Sequence, residues 1–249
     1  RGEFAVERAW ERRERTEMAA ALCFDQAAAT PRQAPQFSPY TNNGGTALGV
    51  AGDDFAIVAA DTRVSEGYSI QTRTHTKIVQ LTEKTSLATA GMLADTQQLH
   101  KVLQNRVRWY RHQHGREPST RAIAQLLGNT LYYRRFFPYY AFNVLGGVDE
   151  DGTGICFSYD AVGCFEAVKY SSSGTGNELV QPLLDNQMGW KEQRAPGALG
   201  PVTMEAALEL VQDAFTSAGE RDMYTGDHVD IFVVTKEGTR QLRFDLKAD

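Results

Sequence analysis

The sequence predicts an α+β fold, an αββα sandwich in which two β-sheets pack face to face and helices cover the outer sides. Three observations predict it. Apolar runs bounded by turn residues mark paired strands at both ends and in the middle of the chain. Two stretches between them carry apolar residues at three- and four-residue steps. The order is then strands, two helices, strands, two helices, strands, which layers most simply as sheet on sheet with helices outside. With 249 residues, 42% of them hydrophobic, the chain is long enough for one sizeable core.

The first hairpin joins strands near Thr46 to Ala51 and Phe55 to Asp61 through Gly52-Asp53-Asp54. The second joins Lys77 to Leu81 and Ser86 to Ala90 around the polar Thr82-Glu83-Lys84-Thr85. A helix follows, with Leu99, Val102, Leu103, Val107 and Tyr110 on one face, Gln97, Lys101, Arg108 and Arg111 on the other, and Gly115 near its end. A second helix starts at Ser119, a good N-cap, runs through Ile123, Leu126, Leu127 and Leu131 to Arg135, and is stopped by Pro138. "YYRRFFPYY" then allows two readings. Phe136 and Phe137 are core residues, or the rings and the Arg134-Arg135 pair anchor a neighbouring subunit.

Three β-rich runs, "YAFNVLGGVDE", "GTGICFSYD" and "CFEAVKY", form an antiparallel meander. With a turn centred on Ala161 and Val162, Cys164 faces Tyr159 and not Cys156, which leaves both thiols free. The Gly- and Ser-rich "SSSGTGN" reads as the entry to a helix carrying Leu179, Leu183 and Leu184. It has no GxxxxGK[ST] pattern, so phosphate binding is not expected. A last helix presents Met204, Leu208, Val211 and Phe215 after Pro201 and Thr203. "HVDIFVVT" and "TRQLRFDL" close the chain as a hairpin around Lys236-Glu237-Gly238.

Composition narrows the function classes. A net charge of −5 gives no support to a nucleic-acid partner. The basic, aromatic "RVRWYRHQHGR" reads as a solvated helix end whose charges suit the C-terminal dipole. His112 and His114 diverge on that helix and have no acidic or thiol partner nearby in sequence, so no metal is expected there. No apolar run approaches the roughly 18 residues of a membrane span. Cys23, Cys156 and Cys164 are too few and scattered for a secreted disulfide framework, and a reducing compartment fits better. Residues 1–36 read as an N-terminal extension, propeptide-like or derived from cloning and expected to be disordered, with Met18 as the native start and the residues before it a cloning or gene-model artefact. Residues 37–249 read as a single domain.

One constellation carries chemistry. "AADTR" holds Asp61, Lys77 lies sixteen residues later, and "TAG" ends fourteen beyond that at Gly91. This arrangement resembles the front of proteasome β-type subunits. "FSPYTNNGGT", "YYRRFFPYY" and "QPLLDNQMGW" resemble the noncatalytic member at the sixth position of the β ring. The resemblance spans residues 37–249 and implies the four-layer N-terminal nucleophile hydrolase fold. In catalytic members a cleaved chain exposes an N-terminal threonine sixteen residues before the aspartate and thirty-two before the lysine. Both counts land on Gly45.

An N-terminal threonine supplies a nucleophilic oxygen together with an α-amine, unperturbed pKa about 8, that serves as base. Gly45 has no hydroxyl, and its nitrogen is a peptide nitrogen. The resemblance further places Thr175 where active subunits hold a serine, and Asp222 and Thr225 of "ERDMYTGD" in a supporting loop. It therefore implies a vestigial pocket of Gly45, Asp61, Lys77, Thr175, Asp222 and Thr225, in which Asp61 and Lys77 satisfy each other and no cofactor or metal takes part.

The function it implies is that of a noncatalytic structural subunit of the 20S core, supporting ATP- and ubiquitin-dependent protein degradation. The implied partners are the other α and β subunits of a 28-subunit particle, with no nucleic acid or membrane, in cytoplasm and nucleus. The alternative is an active threonine protease cut at Gly45-Thr46. A one-residue slip in a strand reverses the face of a side chain, so Thr46 is expected to point away from the pocket.

Overall fold

The computed structural model describes residues 37–189 and 202–247. The chain divides after Pro39, and the architecture below is that of the part beginning at Tyr40. The expectations for residues 1–36, Met18 and Cys23 among them, and for Pro201 lie outside the described residues.

In chain order the strands and helices are β1 (Thr46–Ala51), β2 (Phe55–Asp61), β3 (Val64–Glu66), β4 (Ser69–Thr72), β5 (Ile78–Thr82), β6 (Thr85–Gly91), α1 (Leu93–His114) and α2 (Thr120–Tyr132). Then come β7 (Ala141–Val148), β8 (Gly154–Tyr159), β9 (Phe165–Val168), β10 (Tyr170–Gly174), α3 (Asn177–Gln187), α4 (Met204–Gly219), β11 (His228–Thr235) and β12 (Gly238–Asp245). One five-stranded sheet runs β10-β1-β2-β11-β12 and the other β5-β6-β7-β8-β9. Every pairing is antiparallel.

Three apolar layers hold these elements in the expected αββα order. Leu48, Val50, Ile57 and Ile231 of the first sheet pack against Val180, Leu184, Val211 and Phe215 of α3 and α4. Leu87, Leu145 and Phe157 of the second sheet pack against Leu99, Leu103, Ile123 and Leu127 of α1 and α2. Between the sheets lie Ala47, Val58, Ala60, Ala88, Val144 and Cys156. Residues 47, 49 and 51 thus face the other sheet while 48 and 50 face the helices, which is why β1 and β2 are buried along their whole length. Small residues let the sheets approach. A Cβ on Gly49 would lie 2.5 Å from Cys156 Sγ and one on Gly146 2.4 Å from Val58 Cγ2.

Caps stop and start the helices as the sequence indicates. Ser119 accepts from the Ala122 amide, Thr203 accepts from the Ala206 amide, and Gly115 takes a left-handed φ of 66° at the end of α1. Several expectations need correction. The serine-rich stretch before α3 is not merely a loop. Ser171 to Ser173 sit in β10, paired with Gly49 to Ala47 of β1, so the meander gains a fourth strand that crosses to the other sheet. The backbone ladder makes this strand, with the Ser171 and Ser172 hydroxyls satisfied by Ser158, Asn177 and Gln181 rather than by apolar packing.

In the β8–β9 hairpin Tyr159 pairs with Phe165, so Cys164 sits one step back, opposite Asp160, and does not face Tyr159. The Asp160 carboxylate accepts from the amides of Val162 and Cys164 and lengthens the turn by that residue. Both described cysteines are nonetheless free, Cys156 buried and Cys164 exposed. On α3 the buried face is Val180 and Leu184, while Leu179 is 42% exposed. Helix α2 ends at Tyr132 and not Arg135, passing into tight turns. Phe136 is 99% exposed there, which removes the core reading for it. The β3–β4 hairpin has too little apolar pattern to have been expected.

Candidate functional site

The site lies where β1 begins and β2, β6 and β10 end, so that turns and caps rather than strand interiors supply its side chains. Asp61, the last residue of β2, is fully buried. Its Oδ1 accepts from Lys77 Nζ at 2.7 Å and from the Thr46 amide at 2.8 Å, and its Oδ2 accepts from the Gly226 amide at 3.4 Å. Burial pushes the Asp61 carboxyl above the usual carboxylate range, against the pull of the Lys77 ammonium and of the two amides. The expected pairing of Asp61 with Lys77 is therefore present, and both side chains are removed from solvent.

Gly45 meets this pair edge-on. Its φ of 94° is open to glycine, and a Cβ built there would stand 2.1 Å from Lys77 Nζ and 3.0 Å from Asp61 Oδ1. The ammonium fills the volume that a side chain at position 45 would need. The preceding backbone is also committed. Gly44 has φ 70°, donates its N–H to Asn42 Oδ1 at 2.9 Å, and accepts at its carbonyl from the Gly91 amide at 3.3 Å. The Gly45 carbonyl accepts from the Thr175 amide at 2.9 Å. Beside Lys77, Gly44 and Gly91 there remains a cavity of about 10 Å³, the space of one water molecule.

A second polar cluster lies on the other side of β1. Thr175 and Thr225 each donate a hydroxyl to Asp222 Oδ2 at 2.7 Å. The Thr46 hydroxyl stands 2.6 Å from that of Thr225 and accepts from the Gly176 amide at 3.0 Å. Since Thr225 gives its proton to Asp222, Thr46 donates to Thr225, and the chain of hydroxyls runs toward the carboxylate. The structure therefore corrects the expectation for Thr46. Its hydroxyl bonds neither Lys77 nor solvent, yet it does join Thr225, Asp222 and Thr175, which were assigned to the same pocket. That pocket is two side-chain clusters separated by the alternation of faces where β1 begins, and linked through backbone bonds from Thr46 to Asp61 and from Thr175 to Gly45. Gly45, Asp61 and Lys77 form one, and Thr46, Thr175, Asp222 and Thr225 the other.

Sequence reasoning missed the clamp that holds the supporting loop. Asp227, at φ 68°, receives Arg63 Nε at 2.9 Å and Arg63 Nη2 at 3.2 Å, with Arg73 also on its Oδ1. Burial pushes the Asp227 carboxyl up, but hydrogen bonds and charge from Arg63 and Arg73 prevail and hold it below the usual carboxylate range. A Cβ on Gly226 would lie 2.5 Å from Arg63 Cζ, so glycine is needed where that amide reaches Asp61. The signal available in sequence was the arginine of "ADTR" and the aspartate of "YTGD". Nearby, burial and then the charge of His75 lower the His100 pKa to about 4, and its Nε2 lies 2.8 Å from Thr89 Oγ1. Among the described residues, no three His, Cys, Asp or Glu side chains gather as a metal site.

A family profile described as "Proteasome subunit" matches residues 41–234. The chain is 54% identical over 215 residues to proteasome subunit beta type-1 of Dictyostelium discoideum, covering 86% of this chain and 91% of that protein. It is 51% identical over 213 residues to proteasome subunit beta type-1 of Oryza sativa subsp. japonica, covering 84% and 96%. It is 40% identical over 222 residues to proteasome subunit beta type-6 of Saccharomyces cerevisiae, covering 86% and 92%. A four-layer sandwich, a buried lysine–aspartate pair at its mouth and these matches along most of the sequence lead to one assignment: the chain belongs to the proteasome subunit family.

Proposed function

We propose that the chain is a noncatalytic structural subunit of the β ring of the 20S proteasome core, there to contact its neighbours and enclose the proteolytic chamber. The observation that carries this reading is that the residue meeting the buried Asp61–Lys77 pair is Gly45, which has no side chain. Peptide-bond attack needs an oxygen and an unblocked amine at one residue. Position 45 offers neither, and the Lys77 ammonium lies 2.1 Å from where a Cβ would be. The partners in this reading are the other α and β subunits of a 28-subunit particle, and its setting is ATP- and ubiquitin-dependent protein degradation in cytoplasm and nucleus. The names of the relatives, proteasome subunit beta type-1 among them, support it.

Thr46 is a poor nucleophile in this arrangement, because it is fully buried, its hydroxyl is engaged by Thr225 and Gly176, and its nitrogen donates to Asp61. The test is Thr46→Val in this chain within assembled particles. Every peptidase activity of the particle is expected to stay at the wild-type rate. Loss of one such activity from fully assembled particles overturns the reading.

A further inference from the structure

We propose that the turn after α2, from Tyr132 to Phe137, is a docking anchor for an acidic surface on a neighbouring subunit. This rests on the chain being a subunit of a larger particle. Phe136 is 99%, Tyr133 84% and Tyr132 65% exposed, and all belong to one short stretch. Such concentrations of exposed aromatic surface mark contact sites, because a monomer gains nothing by holding them in water. The stretch is built as a rigid platform. The Arg134 amide donates to the Leu131 carbonyl, Arg135 to Tyr132 and Phe137 to Arg134, each at 3.0 to 3.1 Å. Tyr40 stacks on Phe137 with ring centroids 5.6 Å apart, and its hydroxyl donates to the Pro138 carbonyl at 2.7 Å. Rings fixed in this way lose little further freedom on binding.

Charge identifies the partner. Of the eight Lys or Arg in residues 101–135, Arg111 and Arg121 are paired with Glu117 and Asp149, whereas Arg134 and Arg135 lie in the exposed turn itself, in a chain whose net charge is −5. Arg106 Nη1 is hydrogen-bonded to Thr130 Oγ1 at 2.6 Å, so a guanidinium of α1 also reaches the last turn of α2. Arg134 lies over the Tyr139 ring at 5.4 Å, and among the described residues neither it nor Arg135 has a carboxylate partner. A surface with carboxylates around an apolar depression satisfies both the rings and the arginines, since planar guanidinium groups pair bidentately with carboxylates.

The test expresses tagged full-length chain, wild type and Arg134→Glu with Arg135→Glu, alongside the other subunits, and counts each in assembled particles by native mass spectrometry. The reversed chain is expected to incorporate about tenfold less. Phe136→Ser is expected to reduce incorporation as well. The thermal midpoint of the purified full chain should not move for Phe136→Ser, whose ring is exposed, and should fall by no more than about 2–4 °C for the reversed chain, which loses the contact of Arg134 with Tyr139. Reversed chain incorporating at the wild-type level overturns the anchor and leaves the subunit reading intact. A lowered midpoint that accounts for the loss also overturns it. Wild-type chain that does not enter particles overturns the subunit reading itself, and the anchor with it.

Discussion

The two polar clusters on either side of β1 use similar materials for different ends. On one side a lysine and an aspartate, both buried, answer each other's charge and are pinned further by the Thr46 and Gly226 amides. On the other, threonine hydroxyls relay toward Asp222 and tie the start of β1 to the start of α3 and to the loop before β11. The first pairs a buried ammonium with a buried carboxylate and holds no hydroxyl among Gly45, Asp61 and Lys77. The second contains the Thr46 hydroxyl, which reaches the Asp222 carboxylate only through Thr225. Consecutive strand residues face opposite ways, so the oxygen and the ammonium are separated by a single peptide step.

The comparison can be broken most forcefully at Lys77. Lys77→Ala leaves the Asp61 carboxylate buried without its counter-charge, and the expected loss is about 3–5 kcal/mol in thermal or denaturant unfolding. A loss comparable to that of a surface substitution would show that the pair is not structural.

The charged side should also respond to pH. His100, with a pKa of about 4 in the fold against 6.5 when unfolded, is neutral in the native state. A lowered histidine pKa gives stability that is fully present above pH 6.5 and is lost as pH falls toward 4. The contribution is about 3 kcal/mol by linkage. His100→Gln should flatten that part of the stability–pH curve, and an unchanged slope would assign the dependence elsewhere.

A smaller effect sharpens the steric half of the argument. Gly45→Ala places a methyl group against Lys77 at positive φ and should cost about 1–3 kcal/mol. A neutral substitution would mean that Lys77 can withdraw and that the pocket is less filled than its geometry indicates.

Much of the fold was legible because burial and turn chemistry agree locally. Hairpins β1–β2 and β11–β12 announce themselves by apolar runs around Gly-Asp-Asp and Lys-Glu-Gly, and α2 and α4 by a hydroxyl cap ahead of a spaced apolar face. Strand β10 was hidden because a serine run forms a strand only when β1 supplies its ladder. In the site, the resemblance to proteasome β-type subunits pointed from Asp61 and Lys77 to Gly45, and the structure brings all three together. The Asp227–Arg63 clamp spans 164 positions, and no local pattern reveals such a pair. The engagement of Thr46 depends on which neighbours meet the far face of β1, and alternation alone indicates only that a far face exists.

The most direct measurement is the intact mass of this chain from purified particles after treatment with an electrophile that captures N-terminal threonine. The account predicts no adduct on this chain and an unbroken Gly45–Thr46 bond, while catalytic subunits in the same sample are labelled. A mature chain beginning at Thr46 and carrying the adduct would contradict it.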